Sequence, residues 1–166
     1  RDAMHDAARI LVVDDESGTR AALLEILHSK YQVMTAESGA TALHMLSTSP
    51  ADLVLLDLKM PGMNGIDVLR AIKETDTSVE AILITAYASL ESIRGAMAYG
   101  ASGYLTKPFH EHEVEEAVSK ALARRAGRIG GQQEVRTLLA QLLTLTQSTT
   151  VDATALAIAL KSCASR

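Results

Sequence analysis

Short aliphatic runs alternate with longer segments of helical spacing from Arg9 to about Ala126. The runs are Ile10-Leu11-Val12-Val13, Gln32-Val33-Met34-Thr35, Leu53 to Leu56, Ala81-Ile82-Leu83-Ile84 and Gly103-Tyr104-Leu105-Thr106. Between them the periodic positions are Ala21, Leu24 and Leu27 or His28; then Ala42, Leu43 and Leu46; then Ile66, Leu69 and Ile72 or Lys73; then Ile93, Met97 and Ala101; then Val114, Ala117 and Ala121. Recurrence every three or four residues predicts a helix with one apolar face. The pattern is a βα unit repeated five times. Strands that read as unbroken aliphatic runs are those buried on both faces of a parallel sheet. Right-handed crossovers then place helices on both sides. The expected fold is an open, doubly wound α/β sheet, with any functional site beyond the carboxyl ends of the strands.

Polar residues stand where that rule puts a site. The first strand runs into Asp14-Asp15-Glu16, the third into Asp57, the fourth into Thr85 and the fifth into Lys107-Pro108. Each has an ordinary structural explanation when taken alone. Asp57 can start an Asx turn, and Asp14-Asp15 can cap a helix N-terminus. Lys107 can be a solvated surface lysine. Thr85 can cap the following helix, and Tyr104 can be a half-buried strand aromatic. Four strand ends converging on acids, a hydroxyl and a lysine change that weighting.

Composition narrows the function classes. With 166 residues the chain suits one domain plus an extension. Only 3% of it is aromatic, against 48% hydrophobic in all, so the core has to be aliphatic. A formal net charge of -4 argues against nonspecific nucleic-acid binding by this chain. Cys163 is the single cysteine, so no intrachain disulfide or cysteine metal cluster can form, and a reducing, cytoplasmic setting is expected. No apolar run reaches the roughly 18 residues of a membrane span. The chain starts at Arg1 rather than Met, and Arg1 to Ala8 are given no weight in the fold.

VVDDE at Val12 to Glu16, LLDLKMPGMNG at Leu55 to Gly65, ITAYA at Ile84 to Ala88 and YLTKPF at Tyr104 to Phe109 together resemble a response-regulator receiver domain. This is the phosphoacceptor module of two-component signalling, and the resemblance covers residues 9–126. It implies a flavodoxin-like sheet of order 2-1-3-4-5. It also implies that Asp57 accepts a phosphoryl group from a sensor histidine kinase or phosphotransfer protein. Mg²⁺ would be held by the carboxylates of Asp15 and Asp57 and the backbone carbonyl of Lys59, with Asp14 acting through water or sharing the ligation. Lys107 would cover the phosphoryl group from another side, its bond to Pro108 being cis as is usual in the family. Thr85 and Tyr104 would carry the switch. On this reading the chain is a signalling phosphoacceptor, not an enzyme in its own right.

Hard oxygen ligands beside a phosphate suit Mg²⁺, and clustered carboxylates need a cation to offset their repulsion. A carboxylate can also serve as a nucleophile toward phosphorus. Three rival readings stand against it. A degenerate receiver would act only as a protein-binding module. A phosphatase of the haloacid-dehalogenase type also uses a strand-end aspartate, but it wants a second Asp two positions later, where this chain has Lys59. A flavodoxin-like binding protein would want a hydroxyl- and glycine-rich loop after the first strand, where this chain has acids. The HEH triplet His110-Glu111-His112 is read as a solvated helix start, because residues two apart on a helix do not face one way.

Residues 127–166 form a helical extension or linker that matches no output domain. Arg124-Arg125-Ala126-Gly127 predicts a helix C-terminus, with cations near the dipole and glycine beyond. Gly130-Gly131 is expected to break any continuous helix. Val135, Leu138, Leu139, Leu142 and Leu143 then mark a new amphipathic helix over Gln132 to Leu145. Gln147 to Thr150 predicts a second break, before a short Ala-rich helix from Val151 to about Ser162. The leucine stripe needs cover, either from its own receiver, from a missing domain or from a second copy in a homodimer. The kinase, the signal and the output are not written in this sequence.

Overall fold

The computed structural model describes residues 7–86 and 89–163, of which 145–163 are described as backbone only. Five strands alternate with five helices: β1 (Arg9–Val13), α1 (Ser17–Leu27), β2 (Gln32–Ala36), α2 (Gly39–Thr48), β3 (Leu53–Asp57), α3 (Gly65–Thr75), β4 (Glu80–Thr85), α4 (Leu90–Ala98), β5 (Gly103–Thr106) and α5 (Glu111–Cys163). The strands form one sheet in the order β2-β1-β3-β4-β5, and each neighbouring pair is parallel. The expected doubly wound (βα)5 fold is therefore present, with β3 at its centre.

Because successive strand residues point to opposite faces, the sheet divides its side chains between two cores. Leu11, Val13, Val54, Leu56, Ala81 and Leu83 pack with Ala42, Val68, Leu69, Ile72 and Ala96. Ile10, Val12, Leu53, Leu55, Ile82 and Ile84 pack with Leu23, Leu27, Val114, Val118 and Ala121. All five residues of β3 are buried, including Asp57. An aliphatic strand with helices on both faces thus carries a carboxylate to the sheet rim.

Two helix faces differ from the expected ones. In α1 the buried pair is Leu23 and Leu27, while Ala21 and Leu24 face outward. In α4 Ala96 is buried and Met97 is exposed. Both helices carry adjacent apolar residues, Leu23-Leu24 and Ala96-Met97, which lie about 100° apart around the axis. Periodicity alone leaves that choice open, and packing against the sheet decides it.

The larger correction concerns α5. It runs unbroken from Glu111 to Cys163, through Gly127, Gly130, Gly131 and Gln147 to Thr150. A glycine costs about 1 kcal/mol relative to alanine in a helix, whereas proline costs about 3. Glycine keeps its N–H and does not end a helix without a competing cap. Flanking Ala, Arg, Gln, Glu and Leu residues favour continuation. Arg124 and Arg125 are not terminal cations either. Arg124 Nη2 donates to the Ser102 carbonyl at 2.9 Å, and Arg125 Nη1 lies 2.9 Å from Asp52 Oδ1. They fasten α5 to the amino-terminal edge of the sheet, opposite the acidic end.

By internal contacts the chain divides into two compact units, Arg1–Ala126 and Gly127–Arg166. Among the described residues no helix is long and apolar enough to cross a membrane. His5, and Tyr87 and Ala88 of the ITAYA motif, lie outside the described residues.

Candidate functional site

Parallel strands of matched register end together, so the residues that follow β1, β3, β4 and β5 meet at one rim. Asp14, Asp15 and Asp57 each offer a carboxylate oxygen within 4.8 Å of the others. Asp14 and Asp57 are buried, and Asp15 is exposed. Asp14 is not the cap of α1. That position belongs to Glu16, which makes no side-chain capping bond. Asp14 Oδ1 instead accepts from the Glu16 backbone N–H at 2.9 Å, an Asx turn that leaves Oδ2 aimed elsewhere. Asp57 likewise turns the chain, its Oδ1 accepting from the Lys59 N–H at 3.1 Å. Asp57 is thus both a turn residue and a member of the acidic cluster.

Lys107 is the cation in the middle. Its Nζ lies 2.8 Å from Asp14 Oδ2, 3.4 Å from Asp57 Oδ2 and 3.7 Å from Glu16 Oε1. The buried Asp14 Oδ2 has no hydrogen bond of good angle, so its contact with Lys107 is an ion pair. The Lys107-Pro108 peptide is cis, and the Lys107 N–H donates to the Thr85 carbonyl at 2.9 Å. Burial pulls the Lys107 ammonium down, but Asp14, Asp57 and Glu16 outweigh it and hold the pKa above the ordinary lysine value. Burial pushes the Asp57 carboxyl up, and the charge of Asp14 adds to that. The Lys59 N–H and Lys107 oppose the rise without cancelling it.

Three carboxylates and one lysine leave negative charge in excess. Hard oxygen donors this close together suit a divalent cation such as Mg²⁺. Asp14 Oδ2, buried and without a well-angled donor, is an atom that a cation would satisfy.

Thr85 ends β4 and is 1% exposed. It does not cap α4, because Ser89 does so through a capping box with Ser92. Tyr104 on β5 is 46% exposed, turned outward. Lys59 is exposed, and its cationic side chain two positions after Asp57 does not supply the second aspartate that a dehalogenase-type phosphatase requires. His110 and His112 do stack, with centroids 5.8 Å apart. His110 precedes α5, so the helical-face argument did not apply to it. Its backbone N–H donates to Glu113 Oε2 at 2.7 Å. Among the described residues, the three aspartates are the one group of three His, Cys, Asp or Glu side chains placed to hold a metal.

The sequence reading missed Arg20 and gave Glu16 and Gly65 no role of their own. Arg20 on α1 donates to the Asp14 carbonyl at 2.7 Å, and Glu16 faces Lys107. Gly65 opens α3 directly against the backbone that carries Asp57. A Cβ there would stand 2.4 Å from the Asp57 carbonyl oxygen and 2.7 Å from Leu58 Cα, while the Gly65 N–H donates to the Leu58 carbonyl at 3.0 Å. Gly65→Ala is expected to destabilise the fold by about 1–3 kcal/mol through overpacking. Gly18→Ala, where a Cβ meets nothing within 4 Å, should be neutral or stabilising. Urea titrations of both variants check this, and equal midpoints would remove Gly65 from the frame of the site.

A family profile described as the response regulator receiver domain matches residues 10–119. The chain is 40% identical over 115 residues to sporulation initiation phosphotransferase F of Bacillus subtilis, covering 69% of this chain and 93% of that protein. It is 37% identical over 117 residues to the chemotaxis protein CheY of Halobacterium salinarum, covering 70% and 98%. Against the regulatory protein AtoC of Escherichia coli it is 38% identical, but it covers 25% of that protein's length. A CheY-like receiver domain of Methanospirillum hungatei superposes with a TM-score of 0.72 at 27% identity, covering 74% of this chain and 99% of that one. The five-stranded parallel sheet and the acidic cluster agree with these matches. The chain belongs to the response regulator receiver domain family, whose members are signalling phosphoacceptors.

Proposed function

We propose that Asp57 accepts a phosphoryl group from a phosphohistidine on a sensor kinase or phosphotransfer protein, and that the resulting aspartyl phosphate switches the receiver surface. The observation that carries this reading is the placement of Asp57. It is a nearly buried carboxylate at the end of the central strand, with Lys107 Nζ 3.4 Å away and two further acids beside it. An Asp57 carboxylate oxygen attacks phosphorus, the P–N bond to the donor histidine breaks, and its electron pair returns to the imidazole. Phosphoryl transfer needs alignment and charge neutralisation more than acid–base help. Lys107, its ammonium pinned between Asp14 and Asp57, sits where it can move to a phosphoryl oxygen. Asp15 and Asp57, with Lys59 through its backbone carbonyl and Asp14 directly or through water, are the residues that would hold Mg²⁺. That ion supplies positive charge against the phosphoryl oxygens. Regulators of this kind work in the cytoplasm. DNA binding, if the full protein has it, belongs to a segment other than this domain.

Acetyl phosphate with Mg²⁺ tests the proposal. Intact-mass spectrometry should record one phosphoryl increment that withstands mild acid, is removed by alkali and fails to form in EDTA. No increment under any of these conditions overturns it in favour of a receiver used only for binding.

Thr85 and Tyr104 are the proposed switch. The Thr85 hydroxyl, at the end of β4, would bond a phosphoryl oxygen and draw its loop inward, making room for Tyr104 to leave its exposed position. This is a two-state element biased by a local charge change. Thr85→Ala is expected to accept phosphate at Asp57 yet transmit it poorly to α4, β5 and the start of α5. Backbone NMR of the phosphorylated proteins should show smaller shift changes around Tyr104 in the variant. Equal changes would take Thr85 out of the mechanism.

A further inference from the structure

A cavity of about 480 Å³ opens between α2 and α3. Its floor is Ala51, which precedes β3, and Val79, which precedes β4, so it lies at the amino-terminal edge of the sheet, away from the aspartates. Leu43 and Leu46 of α2 and Ala71 and Ile72 of α3 are its walls. Small-molecule sites are cavities of roughly this size, mostly apolar, with a few polar groups that fix orientation. The polar side chains that line this one are Ser47, Thr75 and Asp76, and all three are acceptors. Ser47 Oγ donates to the His44 carbonyl at 2.6 Å and Thr75 Oγ1 to the Ala71 carbonyl at 3.0 Å. Each hydroxyl has thereby spent its one hydrogen and keeps only lone pairs. Asp76 is exposed, and its Oδ1 accepts from the Ser78 hydroxyl at 2.7 Å and the Ser78 N–H at 2.8 Å.

The helix ends add to this. α2 stops at Thr48 and α3 at Thr75, so two helix C-termini, each carrying about half a negative charge, flank the cavity. α2 has no basic residue in its last turn. Lys73 of α3 donates to the Val79 carbonyl, and Arg125 is paired with Asp52 at 2.9 Å, so both nearby cations are engaged elsewhere. We propose that the cavity binds a small organic cation, an aliphatic amine whose chain fills the space between α2 and α3 and whose ammonium lies among Ser47, Thr75 and Asp76. An ammonium has three donors and no acceptor, which matches a rim of acceptors. A carboxylate in the same place would meet Asp76 and two negative helix ends. A bare metal ion would gain nothing from the aliphatic walls. The hydrogen bonds from Ser78 hold the Asp76 carboxyl below the ordinary aspartate value, so its charge persists throughout the neutral range. This site is separate from Asp57 and does not rest on the phosphoacceptor reading.

Methyl NMR titrations of the full chain with n-octylamine, n-octanol and octanoate test this, since the three share a tail and differ in head group. Octylamine should give saturable shifts at Leu43, Leu46, Ile72 and Val79, with an affinity about tenfold above that of octanol. Octanoate should bind more weakly than octanol. Asp76→Asn keeps an oxygen for Ser78 and should weaken octylamine about threefold while leaving octanol unchanged. Ala71→Leu fills the cavity and should abolish the binding of both, with circular dichroism confirming the fold. Neither variant touches the aspartate cluster. No saturable shift with octylamine overturns the proposal and leaves the cavity to a side chain of a protein partner. Octylamine binding that survives Ala71→Leu undiminished overturns the cavity as its site. Octanoate binding as tightly as octylamine, or octylamine affinity unchanged in Asp76→Asn, overturns the preference for a cation.

Discussion

Asp57→Asn should take up no phosphoryl group from acetyl phosphate and Mg²⁺, a loss of at least about a hundredfold, or about 2.7 kcal/mol of transition-state stabilisation. The amide keeps the shape of the side chain. Its oxygen can still accept the Lys59 N–H that Asp57 Oδ1 accepts at 3.1 Å, so the turn after β3 and the approach of Gly65 survive. What disappears is the proposed nucleophile, because a neutral amide oxygen does not displace a phosphoryl leaving group as a carboxylate does. Asp14 and Asp15 do not substitute for it. Asp14 Oδ1 is committed to the Glu16 N–H at 2.9 Å, its Oδ2 is paired with Lys107 at 2.8 Å, and Asp15 is exposed at the lip. Intact mass after prolonged incubation decides the matter. An adduct of undiminished yield on the variant would assign the nucleophile to another residue.

The sheet and the site were legible in the sequence for the same reason. A strand buried on both faces must be aliphatic throughout, so LVLLD announces both its burial and the anomaly of its last residue. Strand ends in a parallel sheet share a rim, so the sequence alone brings together motifs far apart in the chain. Other features depended on information that residue types do not hold. Leu23 and Leu24 are alike in hydropathy, and only the tilt of α1 on the sheet decides which is buried. Arg20 reaches a backbone carbonyl rather than a side chain, and such contacts leave no pattern of residue types. Arg124 looked like a terminal cation because its partner, the Ser102 carbonyl, is also backbone. The misjudged break at Gly130-Gly131 treated a propensity cost as a stop. A glycine pair weakens a helix by an amount that its neighbours can outweigh, and no proline or cap stands there to finish the work.

Removing metal should expose the cost of keeping Asp57 ionised inside the fold. Its folded-state pKa is raised, chiefly by burial and next by the charge of Asp14 among the causes that raise it. A raised carboxyl contributes stability that is fully present below the ordinary aspartate pKa and is lost as pH rises through the folded value. At neutral pH, then, the ionised side chain is a net burden on the metal-free protein. Lys107 opposes this from 3.4 Å, but it is closer to Asp14 and keeps that partner when Asp57 is neutral. In EDTA at pH 7, Asp57→Asn should be the more stable protein by about 1–2 kcal/mol, a few degrees in Tm. The gap should narrow as the pH falls toward the ordinary aspartate range, where the wild-type carboxyl takes up its proton. Magnesium should narrow it too, because a ligand that binds the native state raises apparent stability in proportion to its affinity, and the variant has lost a carboxylate from the cluster. Asp15→Ala should blunt the same magnesium effect. Thermal melts of the three proteins, with and without Mg²⁺ across this pH range, supply the test. Equal Tm for wild type and Asp57→Asn in EDTA at pH 7, or a gap that widens on acidification, would mean that Lys107 and the Lys59 N–H fully compensate the buried charge. Equal magnesium shifts in wild type and Asp15→Ala would remove Asp15 from the ligand set.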